Sequence, residues 1–115
     1  MNSITQTRKL KALKDYFGYD CFREGQQELI DTILAGRDCL AVMPTGAGKS
    51  ICYQLPALLM DGITLVISPL ISLMKDQVGA LTQAGIKAAY LNSSLTERQS
   101  RIALDNARLG HYRII

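Results

Sequence analysis

The sequence has no tryptophan, two phenylalanines, three prolines and one histidine among its 115 residues. It also lacks an apolar run of the roughly 18 residues that a membrane-spanning helix needs. The N-terminus is polar and basic, without the apolar stretch that follows the charges of a signal peptide. These absences argue against a membrane span and a secretory signal, so we expect a cytosolic protein.

Cysteine is scarce, and its spacing argues against a zinc site. Cys21, Cys39 and Cys52 lie 18 and 13 positions apart, and His111 is distant from all three. Three cysteines without a pairing pattern are typical of buried thiols in a reducing compartment. We therefore expect no zinc, a core that contains Cys39, Cys52 and Met74, and a surface position for His111.

The remaining composition is that of an ordinary globular protein. Hydrophobic residues make up 48% and charged residues 20% of the chain, and the net charge is +3. A chain of this length builds at most one modest domain. Its small positive charge neither proves nor excludes a nucleic-acid partner.

Helical periodicity dominates the first third of the chain. Leu10, Leu13 and Phe17 recur at helical spacing and predict a helix over residues 7–17 that ends at Gly18. A second helix is predicted to end at Gly36, with an apolar face formed by Leu29, Ile30, Ile33 and Leu34.

Four short apolar runs alternate with helical patterns in the rest of the chain. They cover residues 39–43, 63–67, 87–91 and 113–115, and they start 24, 24 and 26 positions apart. Apolar strands that alternate with helices build a parallel sheet covered by helices on both faces. The sequence therefore predicts an α/β fold, with Thr96 and Gln99 as a capping box and Pro56 as a kink or an early helix end. The apolar faces of the three intervening helices are predicted at Ile51, Cys52, Leu55, Leu58 and Leu59, at Leu70, Leu73, Met74, Gln77 and Leu81, and at Ile102, Asn106 and Leu109.

The loop after the first predicted strand carries the strongest functional signal, the sequence MPTGAGKS over residues 43–50. A phosphate-binding loop needs glycines that let backbone N–H groups surround a phosphate, a helix N-terminus, a lysine for the β and γ oxygens and a hydroxyl for Mg²⁺. Gly46, Gly48, Lys49 and Ser50 supply these groups. Met43 stands where the strict sequence pattern of a phosphate-binding loop has glycine. The predicted strand, turn and helix nevertheless lie where phosphate binding needs them. We therefore expect nucleotide binding rather than an incidental glycine-rich turn.

Three segments in and around this loop resemble the RecQ family of superfamily-two DNA helicases, most closely the bacterial type. They are FGYDCFREGQQELI over residues 17–30, MPTGAGKS with the CYQLPA that follows at residues 52–57, and SPLISLMKDQV over residues 68–78. The resemblance extends from about Leu10 to the last residue. Met43 is also the residue that this family tends to carry in its loop.

The resemblance implies a P-loop NTPase fold of the RecA-like type, in which residues 1–115 are part of the first motor domain and stop before the Walker B strand. Residues 7–36 would form a helical adenine-recognition segment. The implied cofactors are ATP and Mg²⁺, and the implied partner is DNA, single-stranded or at duplex junctions, in the bacterial cytosol. The nucleotide would contact the loop at Pro44, Thr45, Gly46, Ala47, Gly48, Lys49 and Ser50, of which Lys49 and Ser50 would be catalytic and Ser50 would ligate Mg²⁺.

The resemblance also assigns adenine contacts before the loop. Tyr19, Arg23 and Gln26 match the positions with which the family holds adenine. An aromatic ring and a guanidinium plane can sandwich the base, and a glutamine amide can pair with its N6 and N7 edge. Without the resemblance, a half-buried tyrosine and two exposed polar side chains on a helix would be the simpler interpretation.

The resemblance further assigns single-stranded DNA contacts to loops that follow the second and third predicted strands. Small polar side chains at helix N-termini suit a sugar-phosphate backbone without reading bases, and these loops share the carboxyl edge of a parallel sheet with the phosphate loop. Helix capping by serine and asparagine is the alternative interpretation, and one residue can do both. The candidates are Ser68, Ser72, Lys75, Asn92 and Ser93.

Phosphoryl transfer from ATP needs an acidic residue that follows an apolar strand and holds Mg²⁺. The sequence does not contain such a residue. Asp38 and Asp61 precede predicted strands, and Asp76 and Asp105 lie in predicted helices. In the resembled family the Asp-Glu-x-His motif and the arginine finger come later. We therefore expect these 115 residues to bind nucleotide and at most weakly DNA, without hydrolysis or unwinding.

Two other functions fit parts of the sequence. A kinase or GTPase could use the same loop, although no Asn-Lys-x-Asp segment for guanine is present. A non-catalytic interaction module with a vestigial loop is the other alternative. Equal binding of GTP and ATP would favour the first, and a Lys49→Ala variant without effect would favour the second.

Overall fold

The computed structural model describes residues 6–43 and 48–115. The helices in these ranges are α1 (Gln6–Ala12), α2 (Gln26–Leu34), α3 (Lys49–Leu59), α4 (Ile71–Gln83) and α5 (Glu97–Arg108), and α1 continues as a π-helical turn over Leu13–Phe17. The chain divides into two compact units, Met1–Asp61 and Gly62–Ile115. The single domain expected from chain length remains a prediction.

The first helix ends where the sequence predicts, but its last turn is wider than an α-helical one. Gly18 follows the π-helical turn in the left-handed region at φ 78°, and its N–H donates to the carbonyls of Leu13 and Lys14. Glycine adopts this conformation without steric cost, which makes it a common helix stop. The predicted end at Gly18 is confirmed.

The core of the first unit joins α1, α2 and α3. Leu13, Ile30 and Leu55 are completely buried, and Leu10, Phe17 and Leu34 are among the half-buried side chains that pack against them. Helix α3 continues three residues beyond Pro56, which is itself fully buried. Pro56 therefore does not end the helix, since α3 reaches Leu59 before its C-cap at Met60.

A partly buried ion pair links α1 to α2. The ammonium group of Lys9 donates to the carboxylate of Asp31, with the Lys9 side chain 9% exposed and that of Asp31 48% exposed. Burying a charge without a partner is costly. The pair therefore keeps the lysine ammonium group compatible with a position between two helices.

Removing the carboxylate should cost more than removing an exposed one. We expect Asp31→Asn to lower the free energy of unfolding by about 1–2 kcal/mol, because it leaves the Lys9 charge buried without its counter-ion while Asp31 itself is half in water. The matched control is Asp20→Asn, since Asp20 pairs with Lys14 at 3.8 Å with both side chains largely exposed, and we expect a change below about 0.5 kcal/mol there. Urea denaturation of the three proteins measures both values. If both variants lost the same free energy of unfolding, the Lys9–Asp31 pair would not be more important for stability than an exposed ion pair.

The second unit contains α4 and α5, and the start of α5 confirms the predicted capping box. The Thr96 hydroxyl accepts from the Gln99 backbone N–H at 3.1 Å, and the Gln99 side-chain carbonyl accepts from the Thr96 N–H at 2.8 Å. Both bonds satisfy backbone donors that a helix N-terminus leaves without a partner.

Three of the predicted strands pair in parallel in this unit, but the predicted sheet is not confirmed. Ile114 forms isolated parallel bridges with Thr64 and with Ala88. The Thr64 N–H donates to the Arg113 carbonyl at 2.9 Å, and the Arg113 N–H donates to the Lys87 carbonyl at 2.7 Å. Residues 113–115 therefore lie between the other two segments. Within the described ranges these bridges do not extend into a regular strand.

The predicted strand over residues 39–43 is wrong for the described structure, where this segment has no regular secondary structure. Leu40 and Val42 are 91% and 90% exposed. A strand has no internal hydrogen bonds and forms only against a partner. Among the described residues, no backbone hydrogen bond joins this segment to another strand, and its apolar side chains stay in solvent.

Several predicted core positions are also wrong. Cys39 is exposed together with the segment that carries it, and Cys21 is exposed in the irregular link, so only Cys52 is a buried thiol. Met74 is half-buried rather than buried, while His111 is exposed as predicted. In the second unit Leu81 is buried, but Leu73, Ile102 and Leu109 are exposed. Amphipathic periodicity identifies which face of a helix is apolar, and burial additionally requires an element that packs on it.

Within the described ranges, no helix has both the length and the apolar character to cross a bilayer.

Candidate nucleotide-binding site

The N-terminus of α3 presents Lys49, which the sequence assigns to phosphate, and Ser50, which it assigns to Mg²⁺. Gly48 is the N-cap, in the left-handed region at φ 75°, and Lys49 and Ser50 open the first turn. Free backbone N–H groups and the helix dipole make such a terminus favourable for an anion. Both side chains are exposed, as phosphate contacts require. Pro44, Thr45, Gly46 and Ala47 lie outside the described residues.

A cavity of 360 Å³ adjoins this helix terminus. Its volume falls within the range of small-molecule sites. The wall contains each adenine candidate and three phosphate-loop residues, and its lining is Tyr19, Cys21, Arg23, Gln26, Gly48, Lys49, Ser50 and Ile51. The structure thus brings Tyr19, Arg23 and Gln26 together with Lys49 and Ser50, although more than 20 residues of sequence separate the two groups.

Gln26 is not the exposed helical side chain that the simpler interpretation, made without the family resemblance, predicts. It is 2% exposed, at the first position of α2. Its side-chain carbonyl accepts from the Arg23 N–H at 2.8 Å, and its side-chain amide donates to the Gly48 carbonyl at 3.0 Å. One side chain therefore ties the segment that carries the adenine candidates to the N-cap of α3.

Gly48 is needed here for two physical reasons. Its positive φ is costly for a residue with a side chain. A Cβ at this position would also collide with the side-chain amide nitrogen of Gln26 and lie 3.8 Å from the Arg23 side chain. The close approach of Gln26 to the loop is therefore possible only without a side chain at position 48.

Tyr19 and Arg23 leave the cavity wall accessible to a planar ligand. Tyr19 is 48% exposed, and Arg23 is exposed as well. An aromatic face and a guanidinium plane can both stack on a heteroaromatic ring. These side chains have the chemistry to hold a base in the same cavity that meets the helix terminus.

Two cysteines differ in their relation to the site. Cys21 is exposed and lines the cavity. Cys52 is buried on α3, where its thiol lies 3.9 Å from the Gly48 carbonyl. Burial raises the pKa of the Cys52 thiol, Cys39 raises it further, and a backbone hydrogen bond partly offsets both. Sequence spacing alone does not place Cys21 at the cavity.

The sequence assigns one side chain, the Ser50 hydroxyl, to Mg²⁺. In the part of the chain that the structure describes, no group of three or more histidine, cysteine or acidic side chains could hold a metal ion. Magnesium takes oxygen ligands and usually keeps waters and substrate phosphates rather than an all-protein cage. The exposed Ser50 hydroxyl beside Lys49 fits that donor set.

The DNA candidates lie in the second unit, and most of them meet around α4. The Asn92 side-chain amide donates to the sulfur of Met74 on α4 at 3.4 Å, which places residues 92–93 beside the helix that carries Ser72 and Lys75. The Asn92 side-chain carbonyl accepts from the Ser94 N–H at 2.9 Å.

Ser68 has a local structural role as well. Its hydroxyl accepts from the Leu70 N–H at 3.2 Å just before α4 begins. The contacts of Ser68 and Asn92 are local turns. The alternative interpretation of helix capping is not confirmed for them, because the N-cap of α4 is Leu70, without a side-chain cap bond, and that of α5 is Thr96. Ser72, Lys75 and Ser93 are exposed.

Comparison with known proteins identifies the family. Residues 23–115 match the DEAD/DEAH box helicase family, and the chain belongs to it. Family membership implies a RecA-like P-loop fold. The match begins at Arg23, inside the candidate adenine segment, and includes the phosphate loop.

Individual relatives confirm the resemblance to RecQ helicases. The chain is 52% identical over 112 residues to the ATP-dependent DNA helicase RecQ of Haemophilus influenzae, covering 97% of this chain and 18% of that protein. It is 52% identical over 108 residues to that of Bacillus subtilis, covering 93% of this chain and 18% of the relative. For that of Synechocystis the identity is 54% over 94 residues, covering 82% and 20% respectively. The chain therefore spans about a fifth of the length of these relatives.

Proposed function

We propose that the protein is an ATP-dependent 3′–5′ DNA helicase of the RecQ type and that this chain supplies the nucleotide-binding part of its first motor domain. The observation that carries the proposal is the single cavity shared by Tyr19, Arg23 and Gln26 with Lys49 and Ser50. Similarity to helicases named ATP-dependent supports it. The bacterial cytosol is the proposed location.

In this proposal the triphosphate lies at the N-terminus of α3. Lys49 binds the β and γ oxygens, and its positive charge offsets the charge that develops on them during phosphoryl transfer. The N–H groups of the first turn add dipoles that are already oriented. Ser50 offers its hydroxyl to Mg²⁺, which when bound neutralises phosphate charge.

The base lies at the other end of the cavity. Tyr19 and Arg23 stack on adenine, and Gln26 reads its N6 and N7 edge. Both ends of the Gln26 amide contact backbone groups, so adenine recognition requires this side chain to exchange a backbone partner for the base or to share one. Gln26 would thereby couple the base to the Gly48 carbonyl.

Single-stranded DNA is the proposed partner of the second unit. Ser68, Ser72, Lys75, Asn92 and Ser93 would contact its backbone phosphates. Such contacts position DNA without reading sequence. The chain alone should bind ATP without hydrolysing it, because no carboxylate that follows a predicted apolar strand is present in its sequence to hold the metal.

Thermal unfolding with different nucleotides tests the proposal. The chain is melted in Mg²⁺ with ATP, with GTP and without nucleotide. A ligand at one hundred times its Kd stabilises the folded state by about 2.7 kcal/mol, so we expect ATP to raise Tm and GTP to raise it less. Equal stabilisation by both would contradict adenine recognition, and no stabilisation by either would contradict the nucleotide site.

Thiol labelling maps the base end of the site directly. We expect a maleimide to modify Cys21 and Cys39 quickly, because both are exposed. Cys52 should react slowly at neutral pH, since it is buried and its raised pKa leaves less of the reactive thiolate. Added Mg-ATP should slow labelling of Cys21, which lines the cavity.

Cys39 provides the matched control, because it is exposed and does not line this cavity. Mass spectrometry of proteolytic peptides follows each thiol separately. Equal protection of Cys21 and Cys39 by ATP would indicate a general tightening of the fold and would contradict a base beside Cys21.

A further inference from the structure

The side chain of Asn92, one of the proposed DNA contacts, is held at both ends of its amide. Its carbonyl accepts from the Ser94 N–H at 2.9 Å and also from the Ser94 hydroxyl. Its amide nitrogen donates to the sulfur of Met74 on α4 at 3.4 Å. The Asn92 backbone carbonyl accepts from the Leu95 N–H at 3.3 Å, which closes the turn that carries the side chain. Protein contacts therefore fix the plane of this amide.

Met74 is the one of these partners that comes from another element. It is the fourth residue of α4 and lies between the DNA candidates Ser72 and Lys75, which are exposed while Met74 is half-buried. A thioether sulfur is a weak acceptor, and its polarizable, flexible side chain adapts to irregular gaps. Leucine would fill a similar volume without offering an acceptor. The contact with Asn92 therefore depends on the sulfur as well as on the size of the side chain.

These contacts leave one hydrogen of the Asn92 amide for a ligand. A side-chain amide has two donor hydrogens and a carbonyl oxygen with two acceptor positions. The Ser94 contacts occupy the carbonyl, and the Met74 sulfur occupies one hydrogen. Within residues 48–115 the other hydrogen has no acceptor. An asparagine that reads adenine must offer a donor and an acceptor together, so in this orientation Asn92 can donate to a phosphate oxygen but cannot read a base.

We propose that Met74 is a positioning residue of the DNA-binding surface, which orients the remaining Asn92 N–H toward a backbone phosphate. This inference rests on the proposed function, because it needs Asn92 to contact single-stranded DNA. A donor that is oriented before binding loses less conformational freedom when the ligand arrives. The N–H···S bond also joins residues 92–93 to the helix that carries Ser72 and Lys75, so it holds the two groups of DNA candidates beside each other.

The side-chain amide of Asn92 tests the hydrogen bond in the chain without DNA. Its two protons are observed by proton–nitrogen NMR and assigned with Asn92→Ala, which removes both signals. We expect their chemical shifts to differ by more than those of a solvent-exposed asparagine, and Met74→Leu to remove the excess, because leucine has no acceptor. Wild-type protons with the shifts of an exposed asparagine would overturn the proposal, and that result needs no variant to fold.

Fluorescence anisotropy with a labelled oligothymidylate tests the role in DNA binding. We expect Asn92→Ala to raise the Kd roughly tenfold, because it removes a hydrogen bond to a charged phosphate. Met74→Leu should raise the Kd only about threefold, since the donor remains but is no longer oriented. In the Asn92→Ala background, Met74→Leu should have no further effect.

Asn106→Ala is the matched control for Asn92→Ala. Asn106 is another half-buried asparagine of the second unit, and its amide donates to the Tyr112 hydroxyl at 3.4 Å. It is not among the DNA candidates, so its alanine variant should keep the wild-type Kd. An equal loss of affinity in both asparagine variants would overturn the proposal, because the effect would then come from a general change in the unit.

The remaining outcomes distinguish this inference from the proposed function. If the wild type does not bind the oligonucleotide, or if Asn92→Ala binds it equally well, Asn92 is not a DNA contact and both proposals fail at this residue. If Asn92→Ala weakens binding but Met74→Leu does not, the DNA contact stands and the positioning role is overturned. An effect of Met74→Leu that persists in the Asn92→Ala background would also overturn that role, because Met74 would then act through the packing of α4.

Discussion

Lys49→Ala is expected to remove most of the stabilisation of the chain by ATP. In the proposed site the variant would lose charge-assisted hydrogen bonds to two phosphates, each worth about 1.5–3 kcal/mol, and we expect its Kd for ATP to rise by roughly 100-fold. At a nucleotide concentration that stabilises the wild type by about 2.7 kcal/mol, the variant should then gain only about 0.4 kcal/mol. Parallel thermal melts with and without Mg-ATP measure the difference.

A control variant distinguishes the loss of phosphate binding from the effect of removing any positive charge. Lys11 is an exposed lysine on α1, and Lys11→Ala removes the same charge without altering the candidate site. We expect its response to ATP to match that of the wild type. If Lys49→Ala kept its full response, the loop would not be the phosphate site, and a non-catalytic role for it would regain support.

Features that depend on a few neighbouring residues were predictable from the sequence. Gly18 ends the first helix because glycine alone adopts its left-handed conformation without strain, and Thr96 with Gln99 forms a capping box within one turn. The start of α3 at Lys49 follows from the same kind of local signal. Each of these features is complete within about five residues of chain.

Features that depend on distant partners were not predictable in the same way. Residues 39–43 have the apolar composition of a buried strand, yet Leu40 and Val42 are exposed because composition supplies no pairing partner. Cys39 is exposed for the same reason. Helix α5 is amphipathic, but Ile102 on the helix and Leu109 at its C-cap remain exposed.

The candidate site shows both kinds of feature. Motif resemblance brought Tyr19, Arg23 and Gln26 together with Lys49 and Ser50, and the cavity contains all five. The burial of Gln26 and its bond to the Gly48 carbonyl span 22 residues of chain. Neither the periodicity nor the composition of the sequence predicts a contact between residues so far apart in the chain.

That contact leads to the second large effect, which is expected for Gly48→Ala. A left-handed conformation costs a residue with a side chain about 1–2 kcal/mol. The added Cβ also displaces the Gln26 side chain, which leaves buried polar groups without partners at about 1–3 kcal/mol. We expect the free energy of unfolding to fall by about 2–5 kcal/mol in total, measured by urea denaturation.

Gly36→Ala is the matched control for the conformational part of this loss. Gly36 belongs to the same unit and has a similar φ of 79°, but a Cβ there would meet nothing within 4 Å. Its alanine variant should therefore lose only the conformational cost. In a Gln26→Ala background the collision is already gone, so adding Gly48→Ala should cost no more than Gly36→Ala does. If Gly48→Ala and Gly36→Ala destabilised the wild type equally, the link between Gln26 and the phosphate loop would have no energetic weight, and the proposed coupling of adenine to Gly48 would fail with it.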